Sequence, residues 1–294
     1  MRGMIRRWVA LGMVTSAILA GCITHSTGAI EGESIVMSPT GVSLDIAAGE
    51  TINKTFKIIN DGTVAYDFKV YASPYSVKNS RYDADFDTRQ PNADVYEWVT
   101  FTEKRYHLEP GQHIDVPYMI SVPTDAAPGG HYSVIFAETQ SSGGNGSNVV
   151  ANKRVGVILY AAVSGDYIRA GRETGVSIPP VKIGGVPSAT ITLENTGNTH
   201  FTGKETIRVK NIFGEKVYER TVDHIMLPKT TRDVPLVWEN GATLGWYKVE
   251  TQSIILDKTV SHSGWVLVSP LWFVVVVVLV LFGIIYMLYR RFRR

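Results

Sequence analysis

Thr51-Ile52-Asn53-Lys54-Thr55-Phe56-Lys57-Ile58-Ile59-Asn60, then Asp61-Gly62, then Ala65-Tyr66-Asp67-Phe68-Lys69-Val70-Tyr71-Ala72 alternates apolar and polar residues on both sides of a short break. Successive side chains of an extended chain point to opposite faces, so this alternation gives each run one apolar face and one wet face. Asp-Gly between two such runs predicts a β-hairpin, with glycine supplying a positive φ. Further strands are expected at Ile114 to Val122, His131 to Thr139 and Val149 to Val163, separated by Pro110-Gly111 and Pro128-Gly129-Gly130. Ser141-Ser142-Gly143-Gly144-Asn145-Gly146-Ser147 has the composition of a loop between the last two.

The second half repeats the order. Ala189 to Glu194 leads into Asn195-Thr196-Gly197 and then His200 to Lys210; Leu227-Pro228, Asp233-Val234-Pro235 and Gly245-Trp246-Tyr247-Lys248-Val249 follow. Their counterparts are Asn60-Asp61-Gly62, Leu108-Glu109-Pro110, Asp115-Val116-Pro117 and Gly130-His131-Tyr132-Ser133-Val134. A repeat of this kind implies two copies of one fold. Short strands, regular turn signals and almost no helical period predict an all-β chain of two tandem immunoglobulin-like antiparallel sandwiches, residues 31–164 and 165–260. Pro117 and Pro235 then belong at sheet edges or bulges, because proline cannot donate to a ladder. Trp98, Tyr71, Trp238, Trp246 and Tyr247 read as core aromatics. The first copy is longer by the segment from Pro74 to Tyr96.

Both ends stand apart from these cores. Residues 1–30 carry Arg2, Arg6 and Arg7, an apolar run from Trp8 to Ala20 and no acidic residue, the layout of a secretory signal. Leu19-Ala20-Gly21-Cys22 resembles a lipobox, which makes Cys22 a lipidation candidate; cleavage after Ala29 is the alternative. From Leu271 to Tyr289 there are 19 residues without a charge, and Val266, Leu267 and Val268 extend the apolar stretch backward. About 20 apolar residues span a bilayer, so a transmembrane helix is expected over 265–289. Trp265 and Trp272 would mark its outer end, and Tyr286 and Tyr289 its inner end. Arg290, Arg291, Arg293 and Arg294 in the tail 290–294 predict a cytoplasmic C-terminus with the bulk of the chain outside a bacterial plasma membrane.

Signal and tail hold seven of the 29 basic residues and none of the 27 acidic ones, so the remainder is acidic, 22 against 27. Nucleic-acid binding needs a basic face and is not expected. The single cysteine leaves no internal disulfide. No nucleophile elbow, zinc-protease motif or phosphate loop is present, so no enzyme, catalytic residue, cofactor or metal is assigned. His107 and His113 straddle a Pro-Gly turn and read as exposed polar residues rather than a zinc pair. Asp83, Asp85, Asp87 and Asp94 have the spacing of a calcium loop, but Thr88 stands where such a loop needs glycine.

Glycans are held by aromatic faces with polar groups fixing orientation. The extra segment of the first copy therefore supplies the glycan-binding candidates Tyr75, Tyr82, Arg81, Asn92 and Tyr96. Val36-Met37-Ser38-Pro39, Asn60-Asp61-Gly62, Trp98-Val99-Thr100-Phe101, Leu108-Glu109-Pro110-Gly111-Gln112, Val122-Pro123 and Pro128 to Ile135 carry a resemblance. Together they resemble the N-terminal, peptidoglycan-binding-type domain of the WxL-interacting proteins of Gram-positive bacteria, over roughly residues 33–163. The resemblance implies a non-enzymatic surface protein attached to peptidoglycan or to a neighbouring surface protein. Ala189 to Asp257 is only weakly similar to that family's second domain, and the turns also fit sandwich modules such as pilus chaperones. The alternative function is accordingly a chaperone-like or accessory module pairing with a protein partner through an exposed sheet edge.

Overall fold

The computed structural model describes residues 32–140, 152–184, 187–239 and 244–293. The first half contains β1 (Ile35–Ser38), β2 (Gly41–Ile46), β3 (Thr51–Asn60), β4 (Tyr66–Pro74), β5 (Ser76–Lys78), β6 (Asp83–Asp85), α1 (Val95–Trp98), β7 (Val99–Phe101), β8 (Arg105–Leu108), β9 (His113–Ser121), β10 (Gly129–Gln140) and β11 (Arg154–Val163). The second contains β12 (Gly171–Ser177), β13 (Val181–Ile183), β14 (Ser188–Asn195), β15 (Phe201–Asn211), β16 (Lys216–Met226), β17 (Thr231–Val237), β18 (Gly245–Ile255) and β19 (Lys258–Ser269), followed by α2 (Leu271–Phe292).

Alternation within the strands builds two sandwiches. In the first, the sheet β1-β3-β9-β7 faces β2-β11-β10-β4-β8. Phe56 and Ile58 of β3 and Val116, Tyr118 and Ile120 of β9 meet Phe68, Val70, Ile135, Leu159 and Ala161 from the opposite sheet. In the second, β12-β14-β17 faces β13-β19-β18-β15-β16, enclosing Ile191, Leu193, Ile207, Val209, Val234, Leu236 and Trp238. The plan is the same in both: the opening strand crosses between sheets, and its second piece, β2 or β13, runs parallel to the last strand, β11 or β19.

The register separates true repeats from apparent ones. Val116 opposes Phe56, four residues before Asn60, and Val234 opposes Ile191, four residues before Asn195. The Val-Pro motifs are therefore equivalent. Pro235 sits on the edge strand β17, and Pro117 lies just past the last residue of β9 paired to β7. The Gly-x-Tyr-x-Val motifs are not equivalent. Tyr247 and Val249 point into the second core, whereas Tyr132 and Val134 point out of the first. A slip of one residue reverses every side chain on a strand.

The expected hairpin is not formed. β3 pairs with β1 and β9, and β4 with β10 and β8, so Asn60-Asp61-Gly62 arches between the two sheets. Buried Asn60 organises the arch: its Nδ2 donates to Val64 O (3.0 Å) and Leu108 O (3.1 Å), and its Oδ1 accepts from Gly62 N (3.1 Å). Asn195 repeats this with Thr199 O, Met226 O and Gly197 N, at 2.9 Å each. Glycine is required for close approach, not for a positive φ. A Cβ on Gly62 would lie 2.2 Å from Gly32 O, and one on Gly197 2.2 Å from Ile168 O.

The C-terminal boundary also moves. Trp265 to Val268 belong to β19, which pairs with β18 through Val268 opposite Gly245. The second sandwich thus extends to Ser269 rather than 260, and α2 starts at Leu271, not 265. Val266 and Val268 are buried core residues in period-two alternation, and Pro270 caps the helix. The 22 residues of α2 are long and apolar enough to cross a membrane; at 1.5 Å per residue they extend about 33 Å. The signal, the lipobox-like run and Cys22 lie outside the described residues, as does the Ser141 to Ser147 loop.

Candidate partner-binding site

The extra segment of the first sandwich is not a free loop. β5 and β6 pair as a small antiparallel unit, and α1 follows. β10 is buried along nearly its whole length, on both faces. Its inner face joins the first core; its outer residues Tyr132, Val134 and Phe136 join a third apolar cluster with Tyr75, Tyr160 and Leu227. Leu227 comes from the second sandwich, so this cluster is a seam between the two. Phe86 packs edge-on against Phe136 (5.0 Å) and beside Tyr75 (6.0 Å), and Tyr132 meets His200 at 5.6 Å.

Polar bonds fix the seam. Thr230 Oγ1 donates to Leu227 O (2.7 Å), which commits its only proton, so the Tyr82 hydroxyl donates to Thr230 Oγ1 (2.6 Å). Tyr82 Oη in turn accepts from Leu227 N (2.6 Å), closing a ring of three bonds. The Arg232 guanidinium lies 4.4 Å over the Tyr82 ring. Ser80 Oγ donates to Asp233 Oδ2 (2.5 Å), and Asp233 N donates to Ser80 O (2.7 Å), which occupies the edge of β17. Hydrogen bonds from Ser80 and Thr192 hold the Asp233 carboxyl below the usual carboxylate range. Gly130 N donates to Asn198 O (2.9 Å), and a Cβ on Gly129 would lie 2.7 Å from that same oxygen.

This arrangement redistributes the glycan candidates. Tyr75 is buried, at the wall of a cleft between the sandwiches, and Tyr82 is half-buried and bonded into the seam. Burial raises the Tyr82 pKa, and that of Tyr75 further. Arg81 stays exposed beside Asp83 (3.9 Å). Tyr96 donates to Glu97 Oε1 (2.6 Å), with Arg89 5.8 Å from its ring centroid. Asn92 accepts from Tyr132 N through its backbone oxygen (2.7 Å) and lines an open cleft of about 540 Å³ between the sandwiches. His131, Asn198 and Lys229 line the same cleft. Burial works against a charged His131 ring, but bonds to Asp94 (2.8 Å) and Ala127 O (2.8 Å) outweigh it and raise its pKa.

The calcium-spaced aspartates do not converge. Asp85 Oδ1 accepts from Asp87 N and Thr88 N while its Oδ2 pairs with Lys78; Asp94 holds His131. His107 bonds Asp67 and Glu109 on the first sandwich's second sheet, away from His113 on β9. Of the expected core aromatics, Trp98, Trp238 and Tyr247 are buried, Tyr71 is half-buried on the outer face of β4, and Trp246 is exposed.

Glu205 on β15 was not singled out by sequence reasoning. Its carboxyl is fully buried with neither oxygen hydrogen-bonded, 3.9 Å from His224. Burial pushes its pKa up to about 7 and that of His224 down to about 4. With the folded value raised, Glu205 keeps in the folded state a proton that the unfolded chain releases, so its own contribution to stability falls as pH rises from about 4.5 to about 7, while the depressed His224 contributes in the opposite direction from about 4 to about 6.5. Glu205→Gln is expected to stabilise the chain by about 1–3 kcal/mol at pH 8 and negligibly at pH 4, read from thermal melts at both pH values. Equal shifts at the two pH values would show that burial of charge is not the cause.

Among the described edge strands, β16 is one of the longest. β16 has eleven residues and closes its sheet, pairing only with β15 among the described strands. Its inner side chains reach across to the facing sheet: Tyr218 donates to Val237 O (3.2 Å), and Arg220 pairs with Glu239. Arg232 Nη1 donates to Ile225 O at the seam end (3.0 Å). From Val217 to Asp223 no other strand covers the edge. By contrast, the β17 edge is occupied by Ser80 and lacks an N–H at Pro235.

No protein-family model and no curated protein matches the chain. Solved structures with a similar course include a chain of the chaperone–tip adhesin complex of CFA/I fimbriae, at 10% identity and TM-score 0.40, covering 79% of this chain and 98% of that one. The class 5 fimbriae chaperone CfaA gives 11% and 0.40, covering 80% and 99%. A chain of the CsuC–CsuE pre-assembly complex of Acinetobacter baumannii gives 8% and 0.38, covering 81% and 99%. Likeness at this level does not carry function from one protein to another.

Proposed function

We propose that this chain is a non-enzymatic, membrane-anchored module of two tandem immunoglobulin-like domains that binds a protein partner by strand addition. The observation that carries this reading is the open edge of β16, whose unpaired backbone groups form a ready template for a further strand. α2 anchors the chain in the plasma membrane. The arginines after it keep the C-terminus cytoplasmic and both domains outside. The seam supports a rigid arm that holds the edge at a fixed attitude. The resemblance to WxL-interacting proteins agrees with a partner at the cell surface. The packing of Tyr75 and Tyr82 into the seam supports this reading over direct glycan binding.

The test is a photo-cross-linking amino acid in place of Thr221, on the free edge, or of Lys57, on β3 where Ser38 of β1 and Asp115 of β9 flank it. In intact native cells, irradiation is expected to join one discrete protein through position 221 and none through position 57. Absence of a discrete adduct at 221 would remove strand addition at this edge.

A further inference from the structure

The end of the second sandwich that carries α2 is apolar for reasons the fold does not explain. β19 ends at Ser269 and α2 begins at Leu271. The register brings other segments to that same end: Gly245 opposes Val268, Ile183 opposes Ser269, and Asn211 opposes Tyr247, which opposes Val266. The turn joining β15 to β16 therefore projects toward the start of α2. Its tip is Ile212-Phe213, 60% and 82% exposed. The turn is well built: Asn211 Oδ1 accepts from Phe213 N (2.9 Å) and Glu215 N (3.0 Å), Gly214 N donates to Asn211 O (3.0 Å), and Gly214 takes a positive φ. Two apolar side chains are thus held outward, exposed to solvent.

Ile183, Leu244, Trp246 and Trp265 are exposed on the same end or the face beside it. Trp246 opposes Leu267 and Trp265 opposes Lys248, so the two indoles are diagonal neighbours on the outer face. Tryptophan distribution points the same way. Trp98 and Trp238 are buried, and the three exposed tryptophans among the described residues, Trp246, Trp265 and Trp272, all lie at this end. Tryptophan with an apolar body and an N–H favours the water–hydrocarbon boundary. Lys210 and Lys248, both paired with Glu250, stand on the same face farther from the helix.

We propose that this end of the second sandwich docks on the outer leaflet of the bilayer, with Ile212 and Phe213 entering the headgroup–acyl boundary beside α2. The proposal rests on the reading of α2 as a membrane anchor. Continuity with that helix decides the occupant, because a single residue, Pro270, separates the last strand from it. Phe213 stands about three residues, or roughly 10 Å, behind Leu271 along the strands. It is displaced sideways by between two and three strand spacings, roughly 12 Å. The headgroup layer is about 5–7 Å deep, so a tilt of the sheet toward the turn brings the tip into contact. Docking would then fix the attitude of both sandwiches above the membrane and turn the β16 edge to one side.

The experiment uses the full chain with Cys22→Ser, reconstituted into phosphatidylcholine vesicles containing nitroxide-labelled lipid, with an environment-sensitive fluorophore on one introduced cysteine. Phe213→Cys, Thr221→Cys and Leu281→Cys report the tip, the mid-edge and the helix. The expected result is a blue-shifted fluorophore at 213, quenched at least twofold by a shallow nitroxide, a water-exposed one at 221, and one at 281 quenched best by a deep nitroxide. Ile212→Asp in the 213-labelled chain is expected to abolish the tip quenching and leave 281 unchanged. An unquenched, water-exposed probe at 213 with 281 still quenched overturns docking while the anchor stands. No quenching at 281 overturns the anchor reading and docking with it. A blue shift at 213 without lipid quenching places the tip against a second copy and also overturns the proposal.

Discussion

Asn195→Ala is expected to cost about 3–5 kcal/mol, with Asn60→Ala costing a similar amount in the first sandwich. Each side chain is fully buried and makes three hydrogen bonds to backbone groups, all of them buried except the part-buried one from Asn60 to Val64 O. Asn195→Ala strands Thr199 O and Met226 O while Gly197 N keeps Ala170 O (3.0 Å), Asn60→Ala strands Leu108 O and Gly62 N, and each unpaired buried group costs about 1–3 kcal/mol. The arch also sets the separation of the two sheets, because Gly197 N is held by Asn195 while its α-carbon abuts Ile168 O. In a sandwich of this size a loss of that order lowers the melting temperature by roughly 10 °C or more. Thermal melts by circular dichroism would measure it. Asn195→Asp, which keeps the acceptor and loses both donors, should fall almost as far. A shift under about 2 °C would mean that the arch is held by the surrounding strands instead.

Leu227→Asp is expected to open the seam and leave both sandwiches folded. Leu227 is buried among Tyr75, Tyr132 and Tyr160 and is absent from either main core. An unpaired carboxylate there costs about 3 kcal/mol or more unless water enters, and parting the sandwiches is the cheapest way to admit it. Spin labels at Val36→Cys and Ile254→Cys, both exposed, would report the inter-sandwich distance in a Cys22→Ser chain. A narrow distribution in the parent should become broad in the variant, with the far-ultraviolet spectrum unchanged. A distribution that stays narrow would show that the Tyr82–Thr230 and Ser80–Asp233 bonds suffice without the apolar cluster.

Much of this architecture is legible in the sequence. Alternation marks β3, β4, β9, β14 and β15, and the paired Asn-x-Gly and Val-Pro motifs are structurally equivalent. What failed did so for identifiable reasons. Alternation is indifferent to which sheet a strand joins, so an inter-sheet arch looked like a hairpin. The Leu-Pro and Gly-x-Tyr motifs align in sequence but not in register: Asn60 binds Leu108 O, whereas Asn195 binds Met226 O, one residue before Leu227. The slipped residues, Leu227 and Tyr132, are those that build the seam. One signal could have disclosed it. Tyr132-Ser133-Val134-Ile135-Phe136-Ala137 breaks the alternation, as a strand covered on both faces must. That run implied a cover, and the tyrosines of the extra segment supply it. β16 went unread because an edge strand buries few side chains, and the start of α2 was misplaced because Trp265 to Val268 at the end of β19 are as apolar as the helix they feed.

Amide hydrogen exchange along β16 tests strand addition most directly. Exchange is compared between purified chain in detergent and the same chain in membranes from native cells that retain its partner. The account predicts slower exchange, by at least tenfold, in peptides covering residues 216–224 of the native membranes, with the buried strands β10 and β14 unchanged. Equal exchange of the β16 peptides in the two preparations would contradict it.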